Sequence, residues 1–170
     1  QAARHAAERD HLTGLLNRRS LRARFNSLVA NAGREGRALY GAVIDIDHFK
    51  AINDTLGHDV GDLALKRLAG VLCASFRTDD HIFRLGGEEF LVLFEGPDTA
   101  TLEERLAAAR ATLLMAEAAG ERSRVPVIRF SAGVASWPTD GDTLDAFLKA
   151  ADRRLYLAKQ SGRDRIVQTG

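Results

Sequence analysis

Apolar residues recur along the chain with two different periods, and segments of the two kinds alternate. Spacings of three and four residues predict four helices, over residues 18–31, 61 or 62 to 77, 102–113, and from 144 to a stop at Gly162. Short apolar runs predict five strands, over residues 38–46, 82–85, 90–94, 125–137 and 165–167. Helices that alternate with strands in this way cover a central sheet, so the pattern predicts an α/β or α+β sandwich.

Acidic residues lie where two of the predicted strands end. Gly86-Gly87-Glu88-Glu89 separates two short apolar runs, which is typical of a tight β-hairpin with carboxylates near its tip. Asp45 and Asp47 stand at the exit of the first buried strand. If this strand lies beside the hairpin, Asp45 and the tip carboxylates converge on one edge of the sheet.

Composition excludes several classes of protein. The 170 residues contain 24 Lys and Arg against 23 Asp and Glu, so no basic footprint for a nucleic-acid polymer exists. The single cysteine, Cys73, excludes a disulfide framework, and we expect it to be a buried small apolar residue in a reducing compartment. No apolar run approaches the roughly 20 residues that span a bilayer, and we expect no membrane contact by this domain.

The chain begins at Gln1 rather than Met, and no low-complexity linker interrupts it. We interpret residues 1–9 as the end of an N-terminal linker or signalling helix and residues 10–170 as one domain. On this interpretation, an N-terminal regulatory domain belongs to the full-length protein.

The carboxylate cluster predicts a metal site. Negative charges brought together are costly unless a cation neutralises them, and oxygen-only ligands favour Mg²⁺, which also takes substrate phosphates as ligands. The inferred substrate is therefore a nucleoside triphosphate. His48 and His58 have no third nitrogen or sulfur partner at ligand spacing, so we assign them structural or surface roles. Trp137 and Tyr156 are interpreted as packing residues.

Five separated blocks of sequence carry a resemblance to one family. The hairpin segment Arg84-Leu85-Gly86-Gly87-Glu88-Glu89-Phe90 resembles the signature that names the GGDEF diguanylate cyclase domains, in its glutamate form. The other blocks occur in the order of the family, at residues 10–19, 45–54, 57–62 and 151–163. The resemblance covers about residues 10 to 167. It implies a five-stranded, mainly antiparallel sheet flanked by helices, similar to nucleotide-cyclase and polymerase palm domains.

The resemblance also implies a catalytic centre. Asp45, Glu88 and the backbone carbonyl of Ile46 would bind two Mg²⁺ ions, with Mn²⁺ able to replace them. Glu89 would lie beside the metals and help to deprotonate the attacking hydroxyl, and Lys50 completes the catalytic set. Two glycines, Gly86 and Gly87, would let phosphates approach the hairpin backbone closely.

The substrate-binding residues follow from the same resemblance. Asn53 and Asp62 match the pair that reads guanine, and Lys50, Lys159 and Arg163 would contact the triphosphate. Four of them have a simpler interpretation: Asp62 caps a helix, Asn53 closes a turn, and the basic pair Lys159 and Arg163 meets a helix dipole. Upstream of the hairpin, Arg77 and Asp80 match an RxxD inhibitory site for the product, a pattern that is otherwise common at solvated helix ends.

The implied reaction joins two GTP molecules into cyclic di-GMP and releases two pyrophosphates, with feedback inhibition by the product. Each domain would hold one GTP, so the active enzyme would be a homodimer. We expect the domain in the cytoplasm, whether or not the full-length protein carries a membrane anchor. One alternative is a catalytically silent relative that senses GTP or cyclic di-GMP. Another is an enzyme that uses adenine nucleotides, against which Asp62 argues, because adenine N1 is an acceptor.

Overall fold

The computed structural model describes residues 2–118 and 124–170. The strands are β1 (Leu16–Asn17), β2 (Leu39–Ile46), β3 (His81–Gly86), β4 (Glu89–Phe94), β5 (Phe130–Trp137) and β6 (Ile166–Val167). The helices are α1 (Ala2–Ala7), α2 (Leu21–Arg34), α3 (Phe49–Leu56), α4 (His58–Ser75), α5 (Thr99–Ala118) and α6 (Leu144–Gln160).

The described strands form one sheet in the order β1-β3-β4-β2-β5-β6. The four longer strands pair antiparallel, whereas β1 and β6 add parallel edges to β3 and β5. The predicted sandwich is confirmed, but the prediction of five strands is wrong, because the sheet has six. The missed strand β1 has two residues, too few to show an alternating pattern.

Helices cover both faces of the sheet. One core contains residues of α4 and α5 together with Ala42 and Ile44 of β2. The second core contains residues of α2 and α6 together with Val43 of the same strand. Successive side chains of a strand point to opposite faces, so β2 needs apolar residues at nearly every position.

Several predicted boundaries differ from the structure. Helix α3 was missed although Phe49, Ile52 and Leu56 recur at helical spacing, because three apolar positions on an eight-residue helix are a short signal and none of its residues is buried. Helix α4 starts at His58, before the predicted position, and β5 starts at Phe130 rather than at residue 125. Cys73 is exposed, not buried, because it lies outside the buried stripe of α4. Tyr156, predicted to pack, is 60% exposed.

Helix α6 packs directly on the backbone of the sheet. A Cβ atom at Gly133 of β5 would lie 2.1 Å from the carbonyl oxygen of Ala151. At Gly41 of β2, a Cβ atom would lie 2.6 Å from the ring of Phe147. The glycines therefore permit the close approach that carries the C-terminal end of α6 to the end of β2.

The helices formed by residues 2–118 and 124–170 include none with the length and apolarity needed to cross a bilayer.

Candidate active site

A cleft of about 460 Å³ opens where β2 ends, beside the β3–β4 hairpin and the last turn of α6. Six residues predicted to act in catalysis or binding line it: Asp45, Ile46, Lys50, Glu88, Lys159 and Arg163. Asp47, His48 and Asp54 line it as well. The remaining predicted residues, Asn53, Asp62, Gly86, Gly87 and Glu89, are not among its lining residues.

Two carboxylates oppose each other at the end of the central strands. Asp45 of β2 pairs in register with Glu89 of β4, and directly opposed residues point to the same face. Burial raises the pKa of Asp45, and repulsion from Glu88 and Asp47 raises it further. The pKa of Glu89 is also raised, first by burial and then by the charges of Asp152 and Asp45. This edge of the sheet therefore accumulates negative charge that requires a counterion.

Lysine 159 supplies part of that compensation. Its ammonium group, near the end of α6, donates a hydrogen bond to Oδ2 of Asp45 and lowers the pKa of that carboxyl against the effect of burial. The side chain thus points into the cleft at the strand end. The interpretation of Lys159 as a residue that only meets the helix dipole is therefore wrong.

The donor set suits a hard cation. Asp45 and Glu88 offer carboxylate oxygens to one cleft, and the amide of Ile46 lies 3.4 Å from the carbonyl oxygen of Glu88, which keeps hairpin and strand end together. No group of three or more His, Cys, Asp or Glu side chains within the described ranges is arranged to hold a metal. Two carboxylates and one carbonyl suffice for Mg²⁺ only if water and phosphate oxygens supply its other ligands.

Arg84 connects the β3–β4 hairpin to the segment before β1. Arg84 donates from Nε and Nη2 to the carbonyl oxygen of Gly87, at 3.1 and 2.8 Å. Its Nη1 lies 3.2 Å from both carboxylate oxygens of Asp10, which also accepts from the amide and hydroxyl of Thr13. Burial alone would raise the pKa of Asp10, but the bonds from Thr13 and Arg84 hold it below its ordinary value. The sequence motifs contain Asp10 and Arg84, yet nothing in their spacing predicts that they meet.

The two hairpin glycines adopt positive φ values, 149° at Gly86 and 48° at Gly87. Residues with a Cβ atom disfavour these conformations, which explains glycine at both positions without reference to a ligand. No atom lies within 4 Å of a Cβ built at either residue, so space for a ligand remains above the turn.

The predicted guanine-reading pair lies on α3 and α4. Asn53 is inside α3, and Asp62 is an exposed residue inside α4, whose N-cap is Gly57. The alternatives of a turn-closing Asn53 and a helix-capping Asp62 are therefore wrong. A Cβ atom at Gly61 would lie 1.9 Å from Oδ1 of Asn53, so the amide of Asn53 rests against α4 next to Asp62.

Arg77 and Asp80 line a separate cavity of about 420 Å³. Oδ2 of Asp80 accepts from the amide of Arg77 at 2.9 Å, so the two residues form a local turn after α4. Burial raises the pKa of Asp80. Two further arginines, Arg9 and Arg24, line the same cavity and make it positively charged, a feature that the sequence pattern did not indicate.

The chain is similar to proteins of one family over nearly all of its length. The family described as "Diguanylate cyclase, GGDEF domain" has a sequence model that matches residues 7–165. The response regulator PleD of Caulobacter vibrioides is 40% identical over 161 residues, which are 93% of this chain and 35% of PleD. The diguanylate cyclase DosC of Escherichia coli K12 is 37% identical over 169 residues, 98% of this chain and 36% of DosC.

Solved structures agree with the sequence comparison. The coiled coil and GGDEF domain of DgcB from Caulobacter crescentus, in complex with c-di-GMP, matches with a TM-score of 0.87 and 29% identity, covering 99% of this chain and 88% of that one. The chain spans about a third of the length of the curated relatives PleD and DosC. Signature, sheet and comparisons agree, and the chain belongs to the GGDEF family of diguanylate cyclase domains.

Proposed function

We propose that this domain condenses two GTP molecules into cyclic di-GMP and releases two pyrophosphates. The observation that carries the proposal is the cleft itself, where Asp45 and Glu88 face the basic side chains of Lys50, Lys159 and Arg163. Carboxylates for a divalent cation beside cations for a triphosphate are the arrangement that phosphoryl transfer requires.

The chain's own residues divide the work. Lys50, Lys159 and Arg163 neutralise and orient the triphosphate, and Asp45, Glu88 and the carbonyl of Ile46 would hold Mg²⁺. When bound, Mg²⁺ supplies charge neutralisation at the phosphates and acidifies the attacking hydroxyl. The 3′-oxygen of one GTP bonds to the α-phosphorus of the other, the bond to the β-phosphate breaks, and Glu89 accepts the hydroxyl proton.

Two domains must cooperate, because each cleft presents one set of phosphate-binding residues and each GTP must be attacked by another. We therefore propose a homodimer in which two clefts face each other across a two-fold axis. We also propose that an N-terminal regulatory domain sets how often the clefts meet.

The first prediction tests the reaction. Purified protein incubated with GTP and Mg²⁺ should yield cyclic di-GMP and pyrophosphate, separated by chromatography. Glu88→Gln keeps the hairpin shape but removes a charge, so we expect activity to fall at least about a hundredfold. Glu104→Gln, which changes an exposed glutamate on α5, should retain wild-type activity. Undiminished turnover by Glu88→Gln would refute the metal assignment, and no product from wild-type protein would favour the silent relative.

The second prediction concerns the dimer. Because two clefts must meet, specific activity should rise with protein concentration until the dimer is saturated. A dilution series of initial rates, paired with light scattering at each concentration, measures this directly. Constant specific activity from a protein that remains monomeric throughout would contradict the two-domain mechanism.

The third prediction tests guanine recognition through Gly61. In Gly61→Ala, the new methyl group would occupy the position of Oδ1 of Asn53, so the amide must rotate away. Alanine favours helix over glycine by about 1 kcal/mol, which offsets part of the cost of moving Asn53 and the Phe49 ring, whose Cζ would lie 3.3 Å from the new Cβ, so we expect unfolding stability within about 2 kcal/mol of wild type. The preference for GTP over ATP, measured as the ratio of kcat/KM values, should fall about tenfold.

The matched control is Gly70→Ala, which makes the same change in the same helix where no atom lies within 4 Å of the new Cβ. It should be at least as stable as wild type and should keep full selectivity. Equal selectivity in both variants would remove Asn53 from the guanine site.

The fourth prediction concerns feedback at the second cavity. We propose that this cavity binds the anionic product, since three arginines and Asp80 line it and the related DgcB domain is known in complex with c-di-GMP. Arg77→Ala should leave initial rates unchanged and abolish the slowing that accompanies product accumulation. Progress curves with and without added cyclic di-GMP, together with calorimetry, measure both effects.

As a control, Arg37→Ala removes a half-exposed arginine that does not line the second cavity and should keep normal feedback. If Arg77→Ala binds the product with wild-type affinity, or if GTP removes inhibition by simple competition, the second cavity is not the inhibitory site.

A further inference from the structure

The turn that carries Arg163 has an unusual backbone. Arg163 and Asp164 have φ values of 62° and 47°, a left-handed region that side chains with a Cβ atom disfavour. Among the described residues, the only other non-glycine residue with positive φ is His48. Since His48 and Arg163 both line the cleft, the strained positions gather at the candidate active site, where the surrounding contacts must hold them.

One anchor of this turn comes from the end of β2. Oδ2 of Asp47 accepts a hydrogen bond from the amide of Asp164 at 2.8 Å. Oδ1 of the same buried carboxylate accepts from the hydroxyl of Ser131 at 2.6 Å. The amide of Asp47 donates to the carbonyl oxygen of Arg129 at 2.9 Å. Asp47 is therefore fixed to β5 and in turn fixes the backbone of the turn.

The second anchor comes from α5. Arg110 donates from Nε and Nη2 to Oδ1 of Asp164, at 3.1 and 2.9 Å, and Nη2 also reaches the carbonyl oxygen of Asp164 at 2.9 Å. Nη1 of Arg129 donates to Oδ2 at 3.2 Å. Arg110 thus grips both the side chain and the backbone of Asp164, in a geometry that only a guanidinium provides.

We infer that Arg110 and Asp47 are positioning residues, which hold the Arg163–Asp164 turn in its left-handed form and so keep the Arg163 guanidinium at the cleft. Arg110 is not among the residues that line the cleft, so its effect on nucleotide passes through the turn. The inference rests on the proposed function to the extent that Arg163 binds the triphosphate of GTP.

Arg110→Gln tests this without replacing any residue that lines the cleft. The first measurement is the affinity for 3′-deoxy-GTP, which lacks the attacking hydroxyl, in the presence of Mg²⁺. The second is KM and kcat for GTP. Displacing Arg163 should weaken analogue binding and raise KM by about tenfold, with kcat within about twofold of wild type. In an Arg163→Ala background, adding Arg110→Gln should change the affinity for 3′-deoxy-GTP and the KM for GTP less than about twofold, because the two residues act as one unit.

Two further variants calibrate the result. Arg110→Lys keeps the charge but loses the bidentate grip, so its affinity should fall between those of wild type and Arg110→Gln. Arg37→Gln removes an ion-paired arginine at the opposite end of the sheet and should bind the analogue normally. Wild-type affinity in Arg110→Gln, or an effect that adds fully to that of Arg163→Ala, would overturn the inference.

Amide hydrogen exchange separates this inference from the proposed function. In free wild-type protein the Asp164 amide should be protected by Asp47, and in Arg110→Gln it should exchange at least about tenfold faster while global stability changes little. Unchanged exchange at the Asp164 amide overturns the inference that Arg110 holds the Arg163–Asp164 turn, whatever the nucleotide-binding assays show. If wild-type protein does not bind 3′-deoxy-GTP, the proposed function fails. Faster exchange at Asp164 in Arg110→Gln would still support the role of Arg110 in holding the turn.

Discussion

The candidate active site depends on how repulsion between two opposed carboxylates is compensated. Asp45 and Glu89 oppose each other across the β2–β4 ladder, and burial raises the pKa of both. Like charges at directly opposed positions destabilise a sheet, so the strand ends can persist only where cations approach. Lys159 of α6 meets part of that need at Asp45, and Lys50 and Arg163 line the same cleft. The same requirement supports the proposal that the site binds a divalent cation and a polyphosphate.

The approach of those cations depends on how closely α6 packs on the sheet. Gly133 leaves no room for a Cβ atom beneath the backbone of Ala151, and the resulting contact carries the last turn of α6 to the end of β2. Lys159 then reaches Asp45, although 114 residues separate them. Beyond the helix, the Arg163–Asp164 turn is held by contacts to β2 and α5. A packing feature of the core thus determines the charge balance of the cleft.

The hairpin is constrained in a similar way. Arg84 grips the carbonyl of Gly87 while it pairs with Asp10, so the segment before β1 and the turn that presents Glu88 are mechanically connected. The second cavity borders the same N-terminal segment through Arg9. Residues near the N-terminus therefore contact both the hairpin and the second cavity without lining the cleft.

The sequence by itself determined most of the fold and the chemical character of the site. Near-continuous apolar runs identified the buried strands, because a sheet covered on both faces admits few polar residues. The hairpin signature identified Glu88 and the family, since its residues are contiguous. Helix α3 and strand β1 were not predicted, because an eight-residue helix without buried residues gives only a short periodic signal and a strand of two residues gives none.

Tertiary structure decided which groups meet. Asp47 bonds to Ser131 and Asp164, which lie 84 and 117 residues away, and no local pattern encodes such pairings. The placement of Asn53 against Gly61 required the packing of α3 on α4. Residue types and short spacings specify what a side chain can do, but the close packing of distant elements selects its partner, because hydrogen bonds and ion pairs act only over a few ångströms.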